Sequence, residues 1–161
     1  MSLHNYIQTL IEYNYALYNR VWESIMQLSD EQFVQEVAYG VGSIRNQMVH
    51  VAMVDTRWRR GLQGDPTARS YTPDPANYPT RMAVHTLWAE SSQAVLSFVA
   101  SLDETALENP APNLNEPAWQ ILAHLVNHGT DHRAQILRLL HELGAPTFPQ
   151  DFIIYLWQRD S

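Results

Sequence analysis

An all-α four-helix bundle is the fold this sequence predicts, and three observations predict it. Apolar residues recur at helical spacing over four long stretches, no stretch alternates apolar and polar residues as a half-buried strand does, and Pro/Gly-rich connections separate the stretches. A chain of 161 residues is long enough to bury one core without staples, so residues 1–161 are expected to form a single domain.

The first helix is expected from about Leu3 to Leu28, where Leu3, Ile7, Leu10, Ile11, Tyr18, Val21, Trp22, Ile25 and Met26 fall at helical spacing. Ser29-Asp30-Glu31-Gln32 starts a short turn or helix, which Tyr39-Gly40-Val41-Gly42-Ser43 breaks. Ser43 can cap a second long helix running from Ile44 to about Leu62. Residues 63–79 hold Gly64, Pro66, Pro73, Pro75 and Pro79, and a connection of 17 residues suits a crossover between opposite ends of a bundle. A third long helix follows from about Thr80 to Leu102, carrying Met82, Leu87, Trp88, Val95, Phe98 and Val99. The Pro/Asn-rich break Asn109 to Pro117 precedes a fourth, Ala118 to Leu143, which Gly144 and Pro146 stop. The apolar segment Phe152 to Trp157 fits helix or strand by periodicity, and a short C-terminal helix is favoured.

Composition removes several function classes. All ten basic residues are arginine, and cysteine and lysine are both absent. That excludes a cysteine nucleophile, a Cys-ligated zinc or iron–sulfur site, a disulfide scaffold, a Schiff-base lysine and a Walker lysine. Ten basic against 17 acidic residues leave a net charge of −7. The densest basic cluster, Arg57, Arg59 and Arg60, is too small for the stripe that nucleic acid requires, and an anionic membrane surface is disfavoured for the same reason. No apolar run approaches about 18 residues, and the N-terminus lacks the pattern of a signal peptide. A soluble cytoplasmic protein with no nucleic-acid or membrane partner is expected.

Seven histidines remain to carry chemistry. His124, His128 and His132 are spaced by four on the fourth helix. Turning that helix at about 100° per residue places His128 and His132 in the apolar stripe of Ile121, Leu125, Ile136, Leu139 and Leu143. His124 lies about 40° beyond its edge, near Asp131, Gln135 and Glu142. Two imidazoles one turn apart can reach one ion, and bundle interiors are where such sites are built; two hydrogen-bonded core histidines are the alternative. A third ligand must come from another helix. His50 is the candidate, although its face, with Gln47, Val54 and Arg57, is too mixed for periodicity to aim it inward. His4, His85 and His141 are expected to be surface or packing residues. Gly129, on the core side of the wheel, would be explained by close helix approach or open space beside the site, or is simply tolerated there. The stretch His128-Gly129-Thr130-Asp131-His132 lacks the glutamate of a zincin motif.

Taken together, several segments resemble the DinB-like family of bacterial proteins, within the bacillithiol/mycothiol transferase-like superfamily. They are Tyr13-Asn14 through Trp22; Gly42-Ser43-Ile44 with Met48-Val49-His50, Asp55 and Trp58; His128 through Ile136; and Leu143-Gly144-Ala145-Pro146 with Asp151. The resemblance spans nearly the whole chain. It implies an up-down-down-up bundle, commonly a homodimer, and a divalent metal held by His50, His128 and His132. Ala134 stands where such sequences frequently have glycine, a difference expected to matter only for packing. His124 is expected beside the ligands, and Asp131 or Asp55 can orient one of them or serve as a surface or structural carboxylate. Some members of the family are thiol S-transferases using bacillithiol or mycothiol, and others act on small metabolites. The family name refers to damage-induced expression and does not imply DNA binding.

The functional expectation is a metal-dependent transferase or hydrolase acting on a small-molecule substrate. Three imidazoles leave an open coordination position and suit zinc, nickel or iron. Without cysteine or lysine, the nucleophile is expected to be water or an external low-molecular-weight thiol co-substrate activated at the metal. Arg133, next to a ligand, can contact an anionic substrate group, or serve as a solvated arginine or structural ion pair. The alternatives are a non-catalytic dimeric metal-binding scaffold, suggested by five Trp and eight Tyr, and a small-ligand binding bundle.

Overall fold

The computed structural model describes residues 2–159, and their regular structure is helical. Four long helices carry the fold: α1 (Leu3–Ile25), α3 (Ile44–Leu62), α4 (Arg81–Ala100) and α6 (Ala118–Glu142). Three short ones join or follow them: α2 (Asp30–Val34), α5 (Glu104–Glu108) and α7 (Phe152–Arg159). The ends follow from local chemistry. Side-chain hydroxyls of Ser2, Ser43 and Thr80 accept from the backbone N–H groups of Asn5, Asn46 and Ala83, so each satisfies a donor the first helical turn leaves free. Ser29 and Gln32 form a reciprocal capping box that starts α2. α1 and α4 stop two or three residues before the apolar pattern does, because their last turns tighten into i→i−3 bonds such as Leu28 N to Ile25 O and Leu102 N to Val99 O.

Contacts between the long helices set their directions. Asn14 lies against Gly129 and Arg133 against the ring of Tyr18, so α1 and α6 run parallel. Gln47 meets Gln135, His50 meets His128 and Trp58 meets His124, so α3 runs antiparallel to α6. Trp22 meets His85 while His4 meets Val99, so α4 runs antiparallel to α1. The order is up-down-down-up, as expected. The crossover from α3 to α4 is the long proline-rich connection, which folds as two single 3₁₀ turns, Ala68–Ser70 and Pro75–Asn77. Arg81 ends it by donating to the carbonyls of Met26 and Leu28 and pairing with Asp30.

The interior combines an aromatic cluster with aliphatic packing. Trp88 of α4 packs against Tyr15, Tyr18 and Trp22 of α1, and Val21, Ile25, Met48, Val84, Val95, Leu122, Leu125, Ile136 and Leu140 are fully buried. The C-terminal segment is helical, as favoured. It returns along α1, with Phe148 under Arg20 and the rings of Phe152 and Tyr155 at 5.0 and 5.6 Å from Tyr13. No helix among the described residues is long and apolar enough to cross a membrane.

Candidate metal centre

The antiparallel crossing of α3 and α6 brings three of the seven histidines to one point. His50, His128 and His132 each offer a ring nitrogen within 4.8 Å of the other two. The Nε2 atoms of His50 and His128 face each other at 3.1 Å, and the His128 and His132 rings lie one helical turn apart, tilted at 53° with centroids 4.3 Å apart. His132 is buried, whereas His50 and His128 are half-buried. Two imidazoles sharing one zinc-like ion at about 2.0–2.1 Å stand roughly 3–3.4 Å apart, so the His50–His128 spacing fits a common ion.

A hydrogen-bonded chain orients the third imidazole. His132 Nδ1–H donates to Gln47 Oε1 at 2.5 Å. Gln47 Nε2 donates to Gln135 Oε1 at 2.9 Å, and Gln135 Nε2 donates to the Asp131 carboxylate at 3.1 Å. The polarity is dictated from one end. A carboxylate only accepts, so Gln135 must present its amide N–H to Asp131 and its oxygen to Gln47, and Gln47 must turn its oxygen to His132. His132 therefore carries its proton on Nδ1 and leaves Nε2 as its lone-pair donor. Gly40, at φ +59°, lies over the two glutamines; a Cβ there would collide with the Gln135 oxygen and stand 2.8 Å from Gln47 Nε2.

Electrostatics keep the cluster neutral. Burial, then the neighbouring His132, then Arg57 push His50 down to about 4. Burial and the other histidines push His128 down to about 3. Burial lowers His132 as well, against an opposing pull from Asp131. Near neutral pH all three are lone-pair donors. His128 Nδ1, the ring nitrogen that does not face His50, is buried without a hydrogen-bond partner. Neutral nitrogen donors, ion-sized spacing and an oriented third ring fit a divalent transition metal.

The remaining expected residues separate cleanly. His124 is exposed, its ring 5.9 Å from that of His128 and edge-on to Trp58 at 5.6 Å. Asp131 is exposed and reaches His132 only through the two glutamines. Asp55 is turned away from the histidines and accepts from the Tyr15 hydroxyl at 2.9 Å; burial, partly offset by that bond, pushes it up to about 7. His4 bonds the Val99 carbonyl, His85 packs edge-on to Trp22, and His141 is exposed.

Arg133 corrects its expected roles. It is neither solvated nor ion-paired but fully buried among neutral partners. Its guanidinium donates to Gln150 Oε1, to the Asn14 Oδ1 and carbonyl, to Thr130 Oγ1 and to the Tyr13 hydroxyl. Those contacts use all five N–H donors and leave none for a substrate anion. The same region explains Gly129: the Asn14 side chain occupies the space a Cβ would take. Of the three explanations for this glycine, close approach is the operative one.

Sequence reasoning placed Gln47 only as part of a mixed helix face. Its position one turn before His50 was the available signal, but its partners on α6 are visible only once the helices cross.

The DinB family model matches residues 1–160. The chain is also similar to Protein DinB of Bacillus subtilis (strain 168), with 23% identity over 162 residues that cover 94% of each chain.

Proposed function

The chain belongs to the DinB family, and on that premise we propose that it is a metal-dependent enzyme whose divalent ion is held by His50, His128 and His132. The observation that carries this reading is the 3.1 Å approach of two half-buried imidazole nitrogens beside a third ring already oriented by Gln47. A divalent ion held there would act as a Lewis acid and would lower the pKa of a water or thiol brought to it.

The chain's own residues define what that chemistry can be. Three neutral imidazoles add no negative charge, so they leave the ion strongly electrophilic. Gln47, Gln135 and Asp131 hold His132 in one tautomer and orientation. The chain has no cysteine or lysine nucleophile, and the nucleophile proposed is water, or a low-molecular-weight thiol as the family resemblance suggests. The reaction class is transfer or hydrolysis on a small molecule. A closed structural site requires a fourth protein donor, and the donors grouped among the described residues are three; that favours catalysis over a scaffold. The working form is a cytoplasmic homodimer, which sedimentation of the untagged protein tests.

Titrating Zn²⁺, Ni²⁺ and Fe²⁺ into chelated, tag-free protein tests the centre. One equivalent should bind per chain, and His128→Ala and His132→Ala should each weaken it by two orders of magnitude or more. Wild-type affinity in both variants refutes the assignment.

A further inference from the structure

The stripe of α3 that carries His50 does not end there. Val54, Arg57 and Gly61 follow at i+4, i+7 and i+11, and all three line a cavity of about 650 Å³. The proline-rich connection and the loop Pro112–Leu114 wall its other sides. Trp58 joins it to the metal centre, since its ring also meets His124, which lies beside His128. Roughly 300–1,000 Å³ is the ordinary size of a small-molecule site, and a mostly apolar lining with a few placed polar groups is its ordinary character.

The charges in this cavity do not balance. Asp65 is spent within the protein, accepting from Arg60 Nε at 2.6 Å and from Thr67 N and Oγ1 at 2.8 and 2.7 Å. Arg57 donates Nε to the Tyr71 carbonyl at 2.7 Å, which fixes its guanidinium and uses only one of its donors. Arg69 is exposed. Among the described residues the ion pairs belong to Arg60, Arg81 and Arg138, so neither Arg57 nor Arg69 has a carboxylate. A chain with net charge −7 thus turns two uncompensated arginines toward one apolar cavity.

We propose that this cavity binds a small organic carboxylate, its anionic head on Arg57 and Arg69 and its apolar body along Val54, Trp58 and Leu114 toward His50. The guanidinium fork matches a carboxylate in shape and charge. No histidine lines the cavity itself, but His50 and Arg57 are only seven residues apart, roughly 10 Å along the helix, a span the far end of such a molecule would cover. Only this last clause, the approach to the centre, rests on the metal-dependent reading.

The probes are 4-phenylbutyrate and its neutral isostere 4-phenylbutanamide, titrated calorimetrically into chelated full-length protein. The carboxylate should bind at least tenfold more tightly than the amide. Arg57→Gln and Arg69→Gln should each remove about tenfold of carboxylate affinity and leave the amide unchanged, while Arg57→Lys should restore part of the loss. Arg138→Gln, on an exposed helix face, controls for overall charge, and circular dichroism controls for folding. Arg69 has no partner to lose, so its variant remains informative if Arg57→Gln unfolds. Equal binding of the two probes, or an Arg69→Gln variant with wild-type preference, overturns the anion site. With Co²⁺ bound, proton relaxation should be faster at the phenyl ring than at the methylene beside the carboxylate; the reverse overturns the orientation. Failure of Co²⁺ to bind while the carboxylate preference persists refutes the metal centre and leaves the anion site standing.

Discussion

Replacing Gln47 with methionine isolates what the hydrogen-bonded chain contributes. Methionine keeps the length and buried volume but removes both the acceptor at 2.5 Å from His132 Nδ1 and the donor at 2.9 Å to Gln135. Two effects on metal affinity follow, and their sizes differ. If His132 merely loses its tautomer preference, half the molecules still present the Nε2 lone pair, a loss of about twofold or about 0.4 kcal/mol. If the ring also loses its orientation, affinity falls by about 10–100-fold, or roughly 1.4–2.7 kcal/mol, as when other metal-bound histidines lose their partner. The expected result is the larger one, read by competition with a chromophoric Zn²⁺ chelator on protein whose helicity is unchanged. Gln47→Glu supplies an acceptor again and should bind at or above the wild-type level. A methionine variant within twofold of wild type, still folded, refutes the orienting role of Gln47.

Three further outcomes follow from the same geometry. Gly129→Ala would ordinarily stabilise a helix by roughly 1 kcal/mol, but the new methyl meets the Asn14 side chain, so urea denaturation should show a loss of about 1–3 kcal/mol instead. Asn14→Leu removes the Oδ1 acceptor from the buried Arg133, leaving only the longer bond to the backbone carbonyl, and should cost about 2–3 kcal/mol by the same measurement; a neutral result would mean the guanidinium finds other partners. The metal-free protein should be most stable near pH 6.5–7, from two opposing limbs. Asp55, raised from 3.8 to about 7 in the fold, adds stability that is complete below pH 4 and is lost as pH rises through about 7, on the order of 4 kcal/mol in all. His50 and His128, lowered from 6.5 to about 4 and about 3, add stability present above 6.5 and lost as pH falls through those values. Asp55→Asn should abolish the fall above about pH 6.5 and steepen the rise between about pH 4 and 6.5, where the carboxyl otherwise opposes the histidines; an unchanged profile would show that Asp55 is not the group responsible.

How much of this was legible in the sequence divides by range of contact. The helices were readable because capping and periodicity are local: Ser43 caps α3, and the long α3–α4 connection required a crossover. His128 and His132 were readable as a pair for the same reason, since one helical turn fixes their relation. His50 was not aimed by its own helix, because Gln47, Val54 and Arg57 share its face and a mixed face has no inward side until a partner helix is placed. Arg133 and Gly129 were misjudged or left open for a related reason. A charged residue and a helix-weakening one look exposed or tolerated by propensity, yet Asn14, far away in sequence, enters the Gly129 gap and accepts from Arg133. The cavity is less legible still, being closed by two loops whose composition announces only that they are loops.

α6 makes two polar contacts on opposite sides, and comparing them argues for where function lies. Toward α1, Arg133 buries a full charge, yet all five of its N–H groups find acceptors and the rings of Tyr13 and Tyr18 flank it at 5.4 and 5.1 Å. Nothing there is left to bind, so that layer fixes the parallel pairing of α1 and α6 and does no more. Toward α3, the neutral histidines are easier to bury but poorly satisfied: two Nε2 atoms oppose each other and His128 Nδ1 has no partner. Buried polar atoms left unpaired cost roughly 1–3 kcal/mol each, and hydrophobic side chains of the same volume would avoid that cost. A chain that completes one polar layer down to the last donor and, one residue away on the same helix, sets two Nε2 atoms face to face holds the second layer for something that binds those two nitrogens. The rigid Arg133 anchor then acquires a second consequence. By pinning α6 to α1 it fixes the backbone that carries His132, so Asn14→Leu should weaken metal binding as well as stability, although Asn14 touches no histidine.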